Sequence, residues 1–431
     1  MSARYMSRRR FLGGSAAALG ASGFPYIVPR HVLGGVGYTP PSEVITRAVI
    51  GCGERGYHNE FVVPNTPDKP PRTLAVCDVD RKHLARALKK AGGPCKGYTD
   101  FRRVMDRKDI DAVYVMTPPH WHALICIAAA QAGKDIYGEK PMTRFIHEGR
   151  KIVEAVDRYG AIFQIGTFGR FGESHNPTSL KIHKIMTGGL LKKCPGVYIR
   201  SGKFNVREWS GRTDLQPQPV PEHLDYDMWL GPAPYKPYHP ERVHWVHRGP
   251  VKTKGSRCYW DYDGGGLADM GQHHLDGFQW TYGKDETSPV EIEANAPWPA
   301  HPDACGLWGW VEMKYADGLK LVLESREWGQ PYERDQPRLV SPDDLDAEGR
   351  RKLAAMANPP RLVNFEEAVK TRQRAGGHAE ASHRCATILH LANTAIRLGR
   401  KMRYDPVKEQ FIGDQEANRF VNIPMRAPWH V

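Results

Sequence analysis

The sequence lacks the features of disulfide-stapled, zinc-ribbon and membrane-spanning proteins. Its eight cysteines are scattered over 431 residues without a C-x-x-C pair, so neither a zinc ribbon nor a disulfide framework is predicted. The most apolar stretch, residues 13–28, is too rich in glycine, alanine and serine to predict a membrane span. The chain also has no internal repeat and no low-complexity tract.

The composition is that of an ordinary globular protein. Hydrophobic residues make up 40% of the chain and charged residues 25%, which excludes a disordered or fibrous class. The length favours two or three domains. The formal net charge is +13, and five of the arginines lie within residues 1–42, which contain no acid. The rest of the chain also has more basic than acidic residues, but it contains no nucleic-acid recognition motif. No nucleic-acid partner is therefore predicted.

The N-terminus matches an export signal. Residues 7–12 read S-R-R-R-F-L, which fits the twin-arginine pattern S-R-R-x-F-L. Residues 1–44 are therefore predicted to be a signal and linker, cleaved near Ala21. The protein would reach the periplasm folded and would keep no stable membrane span. The alternative is a basic tail without a targeting role, in which case the protein is cytoplasmic.

Short apolar strands alternate with helices from Thr46 to Gly166. This alternation predicts an α/β fold with a doubly wound parallel sheet. The strands are expected at 48–50, 74–77, 112–116, 135–137 and 162–165, and the helices at 81–91, 100–106, 121–132 and 145–159.

The alternation of short strands and helices ends after Gly166, which predicts a second domain at 168–431. A Pro/Trp-rich region, 216–249, carries few periodic signals, and the tail is expected to be irregular. Helices are predicted at 176–186 and 379–398, a strand at 196–201, antiparallel strands at 290–294, 307–315 and 319–324, and a surface excursion at 340–358.

A glycine motif follows the first strand. Gly51-Cys52-Gly53-Glu54-Arg55-Gly56 is G-x-G-x-x-G. The first glycine permits a tight turn, the second admits a pyrophosphate close to the backbone, and the third lets a following helix pack near the sheet. Asp78 ends the next strand, where a carboxylate binds ribose hydroxyls. With Asp80 adding negative charge, NAD is favoured over NADP.

Two further motifs lie at predicted strand ends. Thr117-Pro118-Pro119-His120-Trp121-His122 follows the third strand, where such folds bind ligands. A loop lining the nicotinamide is favoured there, and no metal site is predicted. Glu139-Lys140-Pro141 ends the next strand. The ammonium group of Lys140 could stabilise negative charge on a substrate oxygen. A cis Lys140–Pro141 bond would fix the direction of the lysine side chain.

The densest group of chemical residues is at 264–276. If this segment is helical, Asp269 and His273 share one face at i and i+4. A carboxylate and an imidazole so placed act as base, orienting group or hydroxyl ligand. His274 and Asp276 are assigned structural roles. The remaining alternative is a metal held by Asp269, His273 and either His120 or His122.

Together these motifs resemble the glucose–fructose oxidoreductase / inositol dehydrogenase (Gfo/Idh/MocA) family, over nearly all of residues 45–431. The shared features are 51–56, Asp78, 117–122, 139–141 and the run at 265–276, and the tail at 404–419 resembles an exported bacterial branch. The resemblance implies a Rossmann domain at 45–167. It also implies a C-terminal α/β domain with an open, mainly antiparallel sheet that often forms a dimer or tetramer interface.

The resemblance also implies site residues. Lys140 and His273 are expected to be catalytic with Asp269 beside them. His273 would take the hydroxyl proton, Lys140 would hold the same oxygen, and Asp269 would either orient the histidine or bind a neighbouring hydroxyl. One departure is Phe168, where many relatives carry a polar residue. Cofactor contacts are expected from Gly51, Gly53, Glu54, Arg55, Gly56, Asp78, Thr117, Pro118, His122, Glu139 and Lys140.

The expected function is oxidation of a hydroxyl on a sugar or cyclic polyol by NAD. Because export leaves no free nicotinamide pool, the cofactor is expected to stay tightly bound and to be regenerated in place. A redox-neutral, NAD-dependent glycosidase is the alternative, and a non-catalytic sugar-binding protein is the alternative of another class. Five aromatic residues are candidates for sugar stacking, with Tyr259 and Trp260 favoured: Trp209, Trp229, Trp245, Tyr259 and Trp260.

Overall fold

The computed structural model describes Pro40 and residues 43–58, 60–66, 69–70, 72–244 and 254–431. The proposed twin-arginine signal and Trp245 lie outside the described residues. The chain divides into two compact units, Met1–Val44 with Pro67–Pro70 and Ile45–Thr66 with Pro71–Val431. Every helix and strand given below belongs to the second unit. Within the described ranges, no helix is long and apolar enough to cross a membrane.

Six parallel strands form the first sheet, in the order β3-β2-β1-β4-β5-β6. Strands β1, β2, β4 and β6 are buried at every position, as expected where helices cover both faces of a sheet. The order reverses between β1 and β4, which opens a crevice at their carboxyl ends. The predicted doubly wound sheet is confirmed. The strands are β1 Arg47–Ile50, β2 Thr73–Cys77, β3 Lys96–Tyr98, β4 Ala112–Val115, β5 Asp135–Gly138 and β6 Phe163–Ile165.

Four helices follow these strands: α1 Arg81–Ala91, α2 Arg102–Met105, α3 His122–Gln131 and α4 Ile146–Tyr159. The helix expected after the glycine motif is absent from the described residues, where 51–58 and 60–66 form turns. Two separate α-type hydrogen bonds close among these described residues, from Tyr57 N–H to the Gly53 carbonyl at 3.1 Å and from Val62 N–H to the His58 carbonyl at 3.2 Å. Four prolines between the motif and β2 lack the N–H that a longer helix requires.

The second sheet is mixed and runs β12-β11-β8-β9-β10-β7. Only the β10–β7 pair is parallel among its described pairs. The tail, expected to be irregular, contributes β11, whose Met402 pairs with Ile292 of β8. Such a short strand is set by distant pairing, which local pattern does not reveal. The strands are β7 Val197–Ser201, β8 Glu291–Asn295, β9 Trp310–Lys314, β10 Lys320–Glu324, β11 Met402–Asp405 and β12 Gln410–Phe411.

Residues 168–244 and 254–431 contain nine further helices: α5 Gly169–Glu173, α6 Pro177–Thr187, α7 Tyr226–Leu230, α8 Pro240–Val243, α9 Gly265–Thr281, α10 Ala347–Ala355, α11 Phe365–Thr371, α12 Ala379–Leu398 and α13 Gln415–Asn418. Helix α9 packs against α5 and α12. Gly271 lets α12 approach closely, since a Cβ there would lie 2.5 Å from Leu389 Cδ2. Helix α12 contributes to the hydrophobic cores of both sheets. Ala386 packs in the core of the first sheet and Leu389 in the core of the second.

A buried ion pair fixes α9 against α5. The Arg170 Nε–H donates to Asp276 Oδ1 at 2.7 Å, and Thr167 Oγ1 donates to the second carboxylate oxygen at 2.6 Å. The two charged side chains are 1% and 0% exposed. The structural role predicted for Asp276 is therefore what the structure shows.

Asp276→Ala should lower the free energy of unfolding by about 3–5 kcal/mol, because it leaves a guanidinium buried without its closest partner. Urea denaturation measures the change. Glu154→Ala, which breaks an exposed pair with Lys151, is the control and should change stability by less than about 1 kcal/mol. Equal effects of the two substitutions would contradict this assignment.

Candidate active site

A cleft of about 600 Å³ runs along the carboxyl ends of β1, β2, β4 and β5. One wall carries the glycine loop, Asp78, Thr117 and Lys140. The other carries Asp269 and His273 of α9 and residues of the segment that precedes this helix. This volume suits a cofactor or small substrate. The sequence motifs from both halves of the chain therefore meet in one place.

The glycine loop has room for a ligand at one position only among its three motif glycines. Gly51 has φ +89°, and a Cβ there would lie 2.7 Å from Thr117 N. A Cβ on Gly56 would lie 1.9 Å from the Gly51 carbonyl oxygen. A Cβ on Gly53 would meet nothing nearer than 3.8 Å, and Gly53 lines the cleft. The first and third glycines hold the turn, while the space at the second fits a pyrophosphate.

Asp78 stands at the end of β2, as the motif requires. Its carboxylate accepts hydrogen bonds from Cys52 N–H at 2.7 Å and from Asp80 N–H at 2.8 Å. It also raises the pKa of His83, whose Nδ1 lies 3.7 Å away. Asp80, expected to add charge at the ribose end, is instead the N-cap of α1 and accepts from Lys82 and His83 N–H. Capping groups of this kind face the helix, which leaves Asp78 as the candidate for the ribose contact.

The charged residues of the motifs line the cleft. Arg55 Nε–H donates to Glu139 Oε1 at 2.7 Å, and the same guanidinium binds Glu60 at 2.7 Å. Burial raises the pKa of Glu139, and the positive charge of Arg55 opposes that rise. Glu54, Arg55 and Glu139 all line the cleft, as do Thr117 and Pro118.

The two motif histidines lie behind the cleft lining. His122 Nε2 is 2.8 Å from the Thr117 carbonyl oxygen, and its Nδ1 is 2.9 Å from that of Pro141. His120 Nε2 is 2.9 Å from the Trp229 carbonyl oxygen. His122 was expected to contact the cofactor. In the structure its ring instead holds together the two loops that follow β4 and β5. No group of three or more His, Cys, Asp or Glu among the described residues is arranged to hold a metal.

Asp269 is held between two cations. Lys140 Nζ lies 2.8 Å from Asp269 Oδ2, and Arg257 Nε lies 3.0 Å from Oδ1. Burial alone would raise the pKa of Asp269, but the charges of Lys140 and Arg257 lower it below its usual value. The Lys140–Pro141 peptide bond is cis. Arg257 is a site residue that sequence reasoning missed, because it lies in a segment without periodicity.

His273 follows Asp269 by one turn of α9. Its ring stacks on Phe168 with centroids 4.9 Å apart, and Phe168 is 72% exposed. Burial, and then the charge of Lys140, lower the pKa of His273 to about 4. Its buried Nδ1 has no hydrogen-bond partner within the described part of the chain. The expected orienting bond from Asp269 is not formed, because Lys140 and Arg257 engage both carboxylate oxygens.

The low pKa of His273 predicts a pH profile. If His273 is the base, kcat/KM should be constant from about pH 5 to 8 and fall as the pH drops through about 4, where the imidazole takes a proton. Steady-state rates across this range measure it. Samples held at low pH and assayed at neutral pH control for unfolding. An acid limb near the ordinary histidine pKa of about 6.5 would assign the base to another group.

The favoured aromatic pair does not line the cleft. Tyr259 Oη donates to the Arg212 carbonyl at 3.1 Å, and Trp260 Nε1–H donates to that of His301 at 3.0 Å. Trp229 packs against His120 and Tyr262. Trp209 does line the cleft. Tyr259 and Trp260 are therefore not placed to stack on a ligand in this cleft, and of the five aromatic candidates Trp209 is the one among the described residues that lines it.

Comparison with known proteins connects both halves of the chain to one family. Residues 45–167 match the model described as oxidoreductase family, NAD-binding Rossmann fold, and residues 176–431 match that described as oxidoreductase family, C-terminal alpha/beta domain. The scyllo-inositol 2-dehydrogenase (NAD(+)) of Bacillus subtilis is 32% identical over 136 residues, which are 31% of this chain and 39% of the relative.

Another curated relative belongs to a different reaction class. The glycosyl hydrolase family 109 protein 2 of Shewanella sp. (strain ANA-3) is 32% identical over 141 residues, which are 31% of this chain and 30% of the relative. The chain thus spans less than two fifths of the length of these two curated relatives.

Solved structures show the same fold. The WlbA dehydrogenase of Bordetella pertussis, in complex with NADH and UDP-GlcNAcA, superposes with a TM-score of 0.52 at 14% identity, covering 84% of this chain and 99% of that one. The WlbA protein of Chromobacterium violaceum gives 0.52 at 17% identity, covering 84% and 96%. With both family models matched in order over two sheets of the expected type, the chain belongs to the Gfo/Idh/MocA oxidoreductase family and carries its NAD-binding Rossmann domain.

Proposed function

We propose that this protein oxidises a hydroxyl group of a sugar or cyclic polyol with NAD. The observation that carries the proposal is the Lys140 ammonium held 2.8 Å from the Asp269 carboxylate, with His273 one turn further along the same cleft wall. A charged donor and an un-ionised base at one end of a cleft, with a dinucleotide loop lining the same cleft, suit alcohol oxidation. The scyllo-inositol dehydrogenase among the relatives supports this substrate class.

The chain's own groups have separate tasks. When bound, NAD supplies the hydride acceptor. Neutral His273 takes the proton of the substrate hydroxyl. Lys140 donates a hydrogen bond to the same oxygen and stabilises the negative charge that develops there. Asp269 fixes the ammonium group in place. Asp78, at the end of β2, favours NAD because it repels a 2′-phosphate.

A redox-neutral glycosidase is the second candidate, supported by the family 109 relatives at equal identity. In that reaction a sugar hydroxyl is oxidised to a ketone, which acidifies the adjacent C–H bond. A base takes the proton of that bond as the aglycone leaves with its bonding electrons, which forms a C=C bond beside the ketone. Water then adds across the C=C bond, and the ketone is reduced by the hydride that was removed in the first step. The same three residues would serve the oxidation and the final reduction. Net turnover of NAD distinguishes the two candidates.

The export signal bears on how the cofactor is used. If the twin-arginine segment is functional, the protein works in the periplasm, and NAD loaded before export must remain bound and be recycled. The second sheet is the proposed interface of a dimer or tetramer. A non-catalytic sugar-binding role is disfavoured by the intact arrangement of Lys140, Asp269 and His273.

Released nucleotide tests the proposal. The purified protein is denatured, and the supernatant is assayed for NAD(H) and NADP(H) by mass spectrometry. Near-stoichiometric NAD supports tight binding, and a screen of sugar pairs and aryl glycosides then separates the two candidate reactions. No released nucleotide, together with weak binding of added NAD, would overturn the recycling mechanism.

A further inference from the structure

Four side chains that line the cleft have buried polar atoms without a hydrogen-bond partner among the described residues: Thr117, Trp209, Asp263 and His273. Asp263 and Trp209 are the two that the proposed reaction does not use. Both carboxyl oxygens of Asp263 and the Nε1–H of Trp209 are buried without a hydrogen bond within the described part of the chain. Both residues line the cleft that holds Lys140 and Asp269, and they are 6% and 5% exposed. Buried polar groups in native proteins are almost always hydrogen-bonded. We therefore expect a bound ligand to supply the missing hydrogen-bond partners.

The fold does not account for the Asp263 carboxyl group. The backbone N–H of Asp263 donates to the Tyr259 carbonyl at 3.0 Å, but the side chain forms no hydrogen bond with any described residue. The nearby cations Lys140 and Arg257 are bound to Asp269 instead. Asp261, two residues earlier, is different: its side chain lies 3.8 Å from Lys236 Nζ and it does not line the cleft.

Trp209 is adjacent to the same turn. A Cβ placed on Gly265, two residues after Asp263, would lie 3.8 Å from the Trp209 carbonyl oxygen. The Lys254 ammonium lies 5.4 Å from the Trp209 ring centroid. The Trp260 N–H, by contrast, is satisfied by the His301 carbonyl. Asp263 and Trp209 thus both line one cleft with a polar group that has no partner among the described residues, and the Trp209 backbone lies beside the turn that follows Asp263.

The chemistry of the pair indicates what it binds. Burial, and then the negative charge of Asp269, raise the pKa of Asp263 well above its usual range. A neutral carboxyl group both donates and accepts hydrogen bonds, and the indole N–H only donates. A hydroxyl group also donates and accepts, so it satisfies both. An anion only accepts, and it would be repelled by the Asp269 carboxylate.

We propose that Asp263 and Trp209 form a subsite for a second hydroxyl group of a neutral polyol whose reacting hydroxyl lies at Lys140 and His273. The choice of ligand class rests on the proposed function. The subsite sets which polyol is accepted, because a compound lacking that hydroxyl leaves two buried groups unpaired.

Calorimetry on the full chain saturated with NAD tests the subsite. The probes are myo-inositol, scyllo-inositol and D-glucose. Asp263→Ala, which adds no bulk to the cleft, should weaken binding about 10- to 100-fold. Asp263→Asn, which still donates and accepts, should restore most of it. Trp209→Phe should weaken binding by a smaller factor of about 5 to 10.

Melting temperature separates this role from a structural one. Asp263→Ala removes no native hydrogen bond, so its melting temperature should not fall. The controls Asp261→Ala and Trp260→Phe remove partnered groups outside the cleft. They should lower the melting temperature and leave polyol binding unchanged.

Each outcome decides a different statement. Unchanged binding in Asp263→Ala overturns the subsite, and so does a wild-type protein that binds none of the three polyols. Binding that depends on Asp263 without any reduction of NAD supports the subsite and overturns the proposed dehydrogenase. If Asp263→Ala does not fold, the comparison of Trp209→Phe with Trp260→Phe decides the question.

Discussion

Replacing Lys140 by alanine should lower kcat by about 10²- to 10³-fold while nicotinamide dinucleotide still co-purifies with the protein. In the proposed reaction the ammonium group donates to the substrate oxygen, so its loss should remove stabilisation of the developing charge. The glycine loop and Asp78 do not depend on it. NAD reduction during turnover gives the rate, and mass spectrometry of the denatured sample gives the bound cofactor.

The same substitution should shift the pH profile. The charge of Lys140 contributes to the low pKa of His273. Without that charge the pKa of His273 rises, so the residual activity should be lost at a higher pH as the solution is acidified. A purely structural role for Lys140 would lower activity without moving this limb.

Lys284→Ala is the matched control. Lys284 is also a buried, paired lysine, with its Nζ 2.6 Å from Asp317, but it lies outside the cleft. Its loss should reduce stability and leave kcat per folded molecule within about twofold, since it touches no reacting group. Full activity in Lys140→Ala, or an equal loss in Lys284→Ala, would remove Lys140 from the mechanism.

The parts of the site that sequence predicts are those fixed by local rules. A glycine motif after an apolar strand, Asp78 after the next strand, and Lys140 after a later one all lie at carboxyl ends of parallel strands. Because such ends share one edge of a sheet, their meeting could be expected. The i, i+4 relation of Asp269 and His273 follows in the same way from the helix that contains them.

The missed parts depend on contacts that no local pattern encodes. Arg257 lies in a single 3-10 turn, and Trp209 lies in irregular backbone. Neither segment has a period that shows which side chain faces the cleft. Tyr259 and Trp260 were predicted as stacking residues because they closely precede α9. Their polar atoms instead donate to the backbone carbonyls of Arg212 and His301.

The charges of the site explain why two neighbouring carboxyl groups differ. Asp269 has Lys140 and Arg257 at hydrogen-bond distance and remains ionised, whereas Asp263 has no partner and faces that negative charge. When two carboxyl groups have different pKa values because of their surroundings, they can take different roles in one site. We therefore propose that Asp269 positions the ammonium group of Lys140 and that Asp263 binds the ligand.

Gly56→Ala should abolish detectable NAD binding and destabilise the protein. A Cβ at this position would lie 1.9 Å from the Gly51 carbonyl oxygen and 3.2 Å from Met116 Cβ. The turn can relieve that overlap only by moving the glycine loop away from β4. We expect a loss of about 100-fold or more in NAD affinity and about 3 kcal/mol in unfolding free energy, measured by calorimetry and urea denaturation.

Two other glycines separate the causes. A Cβ on Gly53 meets no protein atom nearer than 3.8 Å, so Gly53→Ala should keep normal stability and lose NAD affinity alone, because the methyl group occupies the place of the pyrophosphate. Gly172 has open space around its Cβ position and lies outside the cleft, so Gly172→Ala should change neither property. If Gly53→Ala binds NAD normally, the pyrophosphate does not lie over this loop, and the assignment of the cleft's cofactor end is wrong.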